Sequence, residues 1–436
     1  MRHDFALLTD RRFVLLLTAR TAAMLGTAFG PVALTFGVLG LAGATATTLS
    51  VVVAAEALSM VVFMLAGGVI ADRLPRLAVM VVADIGAAAA WAGLAVMLIT
   101  GWAPVPLLVA LSALAGMATA LFFPAFTGAI PEVVPADQLQ AANAILRLGM
   151  NGARIGGFAL AGGAVAVFGA GWTMVITVGL SLTSASLLSF VRVPRRVVAP
   201  AERGGVFRDL RDGWREFRSR QWLWVVVAQY SFVMMVLQSV WGVLGPVIAN
   251  ERMGGARGWS LVLAAESVGM LLGVLIAIRV RPRRPIRLVV LLSFVLAAPP
   301  LALGLGTSLI VTMAVAFAAG VAIDVLTVVW DTTMQREIPG EALSRVSAYD
   351  ALGSLMLGPL GLLLAGPSVA LLGTERALLV NGVVVLAASL AALCSPGVRR
   401  LAWPDPPSSQ NRPAKAIPSP AAVSPAVSVT AELIKA

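Results

Sequence analysis

Seven ionisable side chains lie inside stretches that are otherwise apolar enough to cross a bilayer: Arg20, Glu56, Asp84, Arg147, Arg154, Glu266 and Asp324. An ionised group in hydrocarbon costs about 3 kcal/mol or more unless it is paired or reaches water, so each is a candidate for function. Asn143, Arg147, Asn151 and Arg154 follow one another at spacings of four, four and three, which places them on a single helical stripe. Such a stripe cannot face lipid and must line a cavity or a seam. Gly149, Gly152, Gly156 and Gly157 accompany it and allow close helix packing. The chemistry open to these groups is ion pairing across a seam and reversible protonation of a carboxylate.

Side chains of this kind must be positioned by membrane-spanning helices. Hydrophobic residues make up 59% of the chain and charged residues 12%, with a mean hydropathy of +0.92. A soluble domain carries far more surface charge, so the composition fits a polytopic membrane protein. Twelve apolar runs of spanning length are expected at 12–39, 47–71, 77–99, 104–125, 138–167, 171–193, 221–249, 258–280, 286–306, 308–330, 347–366 and 374–396. The formal charge of +11 has a topological origin. With both termini inside, 26 of the 32 Lys and Arg residues fall in cytoplasmic segments, and only Arg252, Arg257 and Arg376 lie in external loops. This is the positive-inside bias, with some attraction to anionic inner-leaflet lipid, and it disfavours nucleic acid as a partner. The lone cysteine, Cys394, excludes a disulfide framework or thiolate metal site, and no cofactor is implied. Asp10, Arg11 and Arg12 run into a stretch too long for a cleavable signal, so the first span should be retained. Six of the ten tryptophans lie near span ends, as an interfacial belt requires. The preference for Arg over Lys suggests a GC-rich bacterial genome and the bacterial inner membrane.

The chain repeats itself. Ser50 to Met60 returns as Ser260 to Met270, an offset of 210 that aligns Glu56 with Glu266. Ala115-Gly116 matches Ala319-Gly320 and Ala161-Gly162 matches Ala365-Gly366, both at offset 204. Two related halves running in the same direction are the mark of a transporter. The fold expected is therefore an all-α polytopic membrane protein, twelve transmembrane helices in two pseudo-symmetric six-helix bundles. The first bundle is placed at 1–193, a cytoplasmic linker at 194–220, the second bundle at 221–397 and a disordered Pro/Ser/Ala-rich tail at 398–436. In the linker, Phe207, Leu210, Trp214 and Phe217 share a helical face. This reads either as an amphipathic helix on the inner leaflet or as a solvated basic connection. The repeat also separates the two glutamates, because the equivalent of Arg154 in the second half is Gly358. Glu56 thus lacks the cation available to its twin. Arg20 is expected at similar depth, and two readings stand: Glu56 carries protons with Arg20 as an intermittent partner, or the two form a permanent ion pair.

After the second span, Gly68-Val69-Ile70-Ala71-Asp72-Arg73-Leu74-Pro75-Arg76 resembles the Gly-x-x-x-Asp-Arg-x-Gly-Arg loop of the major facilitator superfamily. Phe123-Pro124-Ala125-Phe126, Ile130-Pro131-Glu132-Val133-Val134-Pro135 and Leu139-Gln140-Ala141-Ala142-Asn143 resemble the branch containing macrolide-efflux proteins and the enterobactin exporter. The sequence departs from the pattern at Pro75, at Ser112 where many proton-coupled relatives have arginine, and at Phe158 in place of the antiporter motif's proline. The resemblance implies that Asp72, Arg73 and Arg76 latch one half to the other, with Asp350 as a counter-charge; the alternative is ordinary inside-positive anchors. It implies that the fifth and eighth spans pack together, which predicts an Arg154–Glu266 contact, working or static. It also implies a cytoplasmic gate in which Arg147 would meet Asp324, while Asp84 would support the loop motif.

The function expected is secondary active export of hydrophobic or amphipathic small molecules by alternating access, with proton antiport. An exporter of a siderophore or secondary metabolite, or an uptake carrier or uniporter of the same fold, remains as an alternative. A membrane enzyme is disfavoured, since the sole histidine is His3 and no Ser-His or metal-ligand cluster can be assembled. No nucleotide-binding loop is present, so ATP drive would need another subunit. Met24, Phe29, Phe36, Tyr230, Phe232, Met234, Met235, Gln238 and Trp241 either line a cavity for bulky cargo or pack helices. A small molecule, protons and the lipid bilayer are the partners implied, for a chain acting as a monomer.

Overall fold

The computed structural model describes residues 4–135, 138–191 and 206–402. The first half holds α1 (Arg11–Leu39), α2 (Ala46–Arg73), α3 (Arg76–Thr100), α4 (Val105–Val133), α5 (Leu139–Phe168) and α6 (Ala170–Ser189). A short α7 (Val206–Ser219) leads into the second half. There the expected spans are more broken. The seventh is α8 (Gln221–Ser239), a π-helical turn at Val240–Leu244 and α9 (Gly245–Arg252). Next come α10 (Ala256–Ala277), then α11 (Pro285–Val295) with α12 (Ala298–Gly304), then α13 (Leu309–Glu337). The last spans are α14 (Gly340–Leu355) with α15 (Gly358–Leu372), and α16 (Thr374–Cys394), followed by α17 (Pro396–Arg400). The breaks before Pro299 and Pro359 arise because proline lacks the amide proton and crowds the preceding turn.

Among the described residues, eleven helical stretches are long and apolar enough to cross a membrane. The remaining long helix, α5, has 30 residues and so reaches about 45 Å. Its Asn/Arg stripe dilutes its hydropathy without shortening it. Val398 is fully buried within α17, so the chain stays structured past the expected start of the tail; residues 403–436 lie outside the described residues. Trp214 and Phe217 of α7 stack on each other and meet Tyr349 of α14 at tilted angles, with ring centroids 5.5 to 6.1 Å apart. The described part of that apolar face therefore has a protein partner, while the side chains of Phe207 and Leu210 lie outside the described residues.

The repeat is visible atom by atom. Gly169 and Gly373, at offset 204, start α6 and α16 with φ 80° in both cases and ψ 163° and 158°, a left-handed conformation that glycine adopts without Cβ strain. α2 crosses α4 where a Cβ on Gly116 would overlap the carbonyl of Glu56, and α10 crosses α13 where one on Gly320 would overlap the carbonyl of Glu266. The halves meet along two equivalent seams, α5 on α10 and α2 on α15. Gly162 lies against Ala256 and Ser260 in one, and Gly366 against Thr47 and Ser50 in the other. In the second seam the Ser50 hydroxyl donates to the Leu362 carbonyl at 2.8 Å and accepts from the Gly366 amide at 2.6 Å.

These seams close one end only. Away from the arginine-rich segments, a single buried core cluster runs through both halves, from Phe29 and Leu94 to Val236 and Leu362. At the basic end the core splits into one cluster per half, around Phe13 and Phe126 and around Leu223 and Val329. α15 packs on α2 across the seam, whereas α14, below the break in the same span, packs on α7, α8 and α13 of its own half. The halves are joined at the far end and parted at the basic end.

Candidate functional site

Beneath the closed end lies a pocket of about 70 Å³ whose lining comes from both halves: Thr35, Glu56 and Phe158 from the first, Trp241, Gly242 and Trp259 from the second. The π-helical turn brings Trp241 and Gly242 to it, and such turns often mark functional positions. Trp241 and Trp259 contact each other at 5.4 Å between ring centroids. Glu56 is the one ionisable group in this lining, and it also borders a larger cavity of about 220 Å³ inside the first bundle, with Arg20, Asp84, Trp91, Thr119 and Phe122. Glu56 thus stands between two cavities in a mainly apolar wall.

The expected Arg20–Glu56 pairing is corrected by depth. Arg20 lies nine residues into α1, about 14 Å from the basic end, and Asp84 lies about 12 Å in along α3. Glu56 is about 25 Å from that end of α2. Arg20 accordingly feels Asp84 and lies over the rings of Phe122 and Phe126, at 5.1 and 4.6 Å from their centroids. Both charges are buried, each with one unpartnered polar atom, Arg20 Nε and Asp84 Oδ2. Asp84 thus serves this bundle interior rather than the loop motif expected of it.

Across the opening, two ladders of charge face each other. Arg147 and Arg154 on α5 are seven residues apart, and so are Asp324 and Asp331 on α13. The helices run antiparallel, so both pairs match in height: Arg154 about 22 Å and Asp324 about 20 Å from the basic end, Arg147 about 12 Å and Asp331 about 9 Å. Electrostatic coupling follows that registry, Arg154 acting on Asp324 and Glu266 and Arg147 on Asp331. The Arg147–Asp324 pairing expected from sequence is therefore displaced by two turns, because α13 continues to Glu337 instead of ending near 330. Arg154 is within electrostatic reach of Glu266, the partner expected for it, while its hydrogen bond goes to the thioether of Met270, one turn farther along. Asn143, Arg147 and Asn151 are exposed and Arg154 is half-buried, as a stripe facing the opening requires. Arg147→Glu is expected to disfavour closure of the basic end several-fold, and adding Asp331→Arg should restore it; cross-linking between cysteines placed at the basic ends of α5 and α13, in the single and double variants, checks this.

Arg76 donates to Glu132 on α4 at 3.1 Å. Asp350 accepts from the Trp330 indole at 3.2 Å and lies near the Ser354 hydroxyl at 3.4 Å, both in its own half. Gly68, Asp72 and Arg73 sit in the last turns of α2, and their side chains lie outside the described residues. Of the cavity candidates, Trp241 lines the central pocket. Phe29 is buried in the joint core, and Tyr230 and Met234 pack against it. The Met24 sulfur receives the Thr27 hydroxyl at 3.2 Å, and Gln238 lies beside Gly358 at the break between α14 and α15. Sequence reasoning missed Asp331 and the pocket residues Trp259 and Thr35. The matching spacing of seven in the two ladders was the available signal for Asp331.

Two repeated helical bundles around a chamber shut at one end and open at the other define a membrane transporter. The chain belongs to the Major Facilitator Superfamily, whose family model matches residues 13–349. It is 26% identical over 300 residues to the uncharacterized MFS-type transporter YvqJ of Bacillus subtilis (strain 168), covering 67% of this chain and 71% of that protein. Among solved structures it is similar to the nucleoside transporter NupG, with TM-score 0.69 and 12% identity over 90% of this chain and 100% of that one. A bacterial homolog of the human lysosomal transporter Spinster, inward-facing and unoccupied, matches with TM-score 0.65 and 14% identity over 92% and 99%. At these identities the structural likeness establishes the fold alone.

Proposed function

We propose that this transporter exports hydrophobic or amphipathic small molecules, of the drug or macrolide kind, by alternating access with proton antiport, and that Glu56 carries the proton. The observation that supports this reading is the setting of Glu56 in the pocket shared by the two halves, as its single acid, with Arg20 engaged elsewhere by Asp84 and two phenylalanines. The rest of that wall, Phe158, Trp241, Trp259, Leu34 and Leu263, offers aromatic and aliphatic surface suited to apolar cargo. The positive-inside rule makes the basic end cytoplasmic, so the present state faces inward, ready to load from the cytoplasm or inner leaflet. The two charge ladders supply the gate: Arg147 with Asp331, and Arg154 with Asp324 and Glu266, would draw together when the basic end shuts.

Growth inhibition of a bacterial host by macrolides, lipophilic dyes and siderophores, with and without the gene, tests the direction and class of cargo. The expected result is raised tolerance to at least one lipophilic class. Increased sensitivity across the panel would indicate uptake and contradict export.

A further inference from the structure

Between Glu266 and Asp324 the chain has no acidic residue, yet Arg279, Arg281, Arg283, Arg284 and Arg287 fall within nine positions. The other arginine-rich segment, α7, carries its own counter-charges: Asp209, Asp212 and Glu216 are interleaved with its arginines, and Glu216 pairs with Arg220. The segment after α10 has no acid interleaved with it, so its net charge is strongly positive. Three of its arginines, Arg283, Arg284 and Arg287, surround an open hollow of about 470 Å³ with Leu288 and Leu291.

The order of these residues along the helix is what gives the hollow a meaning. Arg287, Leu288 and Leu291 lie on adjacent turns of one side of α11, and Arg284 is the residue immediately before its first turn. Arg284 caps the helix at the basic end, and Leu291, 44% exposed, lies about 10 Å deeper in the span. Cations at the interface level and leucines directly beneath reproduce the head-above-chain arrangement of a phospholipid. Guanidinium groups bind phosphate through paired N–H donors, and clustered arginines at this level attract anionic headgroups.

We infer that the hollow formed by Arg283, Arg284 and Arg287 over Leu288 and Leu291 is a binding site for an anionic phospholipid, its phosphate on the arginines and an acyl chain along the leucines. α11 packs on α13 and α16. The bound lipid would therefore hold the basic end of the bundle that carries Asp324 and Asp331 against the membrane surface while the other bundle moves. This site does not depend on what the transporter carries.

Native mass spectrometry of the full-length chain in detergent, titrated with dioleoyl-phosphatidylglycerol or dioleoyl-phosphatidylcholine, tests it. One phosphatidylglycerol should be retained per chain and phosphatidylcholine should not. Arg284→Gln with Arg287→Gln should weaken retention by on the order of 10- to 30-fold, and Arg281→Gln, outside the hollow, should leave it unchanged. Millimolar inorganic phosphate should fail to displace the lipid, because it lacks the acyl contact. Equal retention of both lipids, unaltered retention in the double variant, or displacement by phosphate would overturn the inference. Should the double variant not fold, the wild-type chain decides it: phosphatidylglycerol retention that does not fall as salt is raised would also overturn it.

Discussion

Glu56→Gln is expected to abolish proton-linked transport while leaving the folded protein intact. Glutamine keeps the shape of the side chain and its hydrogen-bonding capacity, but it cannot gain or lose a proton. In everted vesicles acidified inside by respiration, adding a transported compound should dissipate the pH gradient with the wild-type protein and leave it untouched with the variant. The loss should be complete for uphill transport, whereas exchange of labelled for unlabelled cargo should persist, because it needs no net proton movement. Glu266→Gln is the natural comparison. Glu266 occupies the same place in the repeat but has Arg154 within electrostatic reach, so its neutralisation should weaken the contact between halves without ending coupling. Normal uphill transport by Glu56→Gln would remove Glu56 from the mechanism.

The second large effect concerns the crossings that hold each glutamate in place. Gly116→Ala and Gly320→Ala would each put a methyl group inside a backbone carbonyl, that of Glu56 or of Glu266. A flexible side chain could yield at such a point, but a carbonyl within a helix cannot move without moving the helix. The cost belongs at or above the top of the usual range of roughly 1–3 kcal/mol for overpacking, and the unfolding midpoint of purified protein should fall by on the order of 3 °C or more. Gly152→Ala and Gly163→Ala meet open space and should be neutral or slightly stabilising, since alanine is the better helix former by about 1 kcal/mol. Equal behaviour of all four variants in a thermal-stability assay would contradict the close crossings.

The twelve apolar runs, the parallel repeat and the buried charges were legible because hydrocarbon imposes length and forbids unpaired charge. The pairing of those charges was legible only as far as helix ends could be located. Arg20 was matched to Glu56 because both are near the middle of their spans, yet Glu56 lies about 11 Å farther from the basic end than Arg20, a gap the expected span ends already carried and to which the extension of α2 to Arg73 adds only about 3 Å. The acid level with Arg20 is Asp84. An underestimated end of α13 assigned Asp324 to Arg147 and left Asp331 unnoticed. Gly162 and Gly366 were visible as a repeated pair, but that they form the closed seam depends on which helices cross. The π-helical turn that brings Trp241 to the pocket has no signature in Ser239-Val240-Trp241-Gly242.

The two bundles are expected to rock between a state open at the basic end and a state closed there, with Glu56 setting the balance. Holding an ionised carboxylate in the closed pocket costs free energy, so loss of its proton should favour the state that opens this pocket to the other side. Distances between spin labels at Leu148→Cys on α5 and Gln335→Cys on α13, in a Cys394→Ser background, report the separation of the basic ends most directly. In lipid nanodiscs a shorter distance should gain population as pH rises with the wild-type Glu56, and the long distance should persist at every pH with Glu56→Gln. A single distance independent of pH in both proteins, or the same pH response with and without the carboxylate, would contradict this expectation.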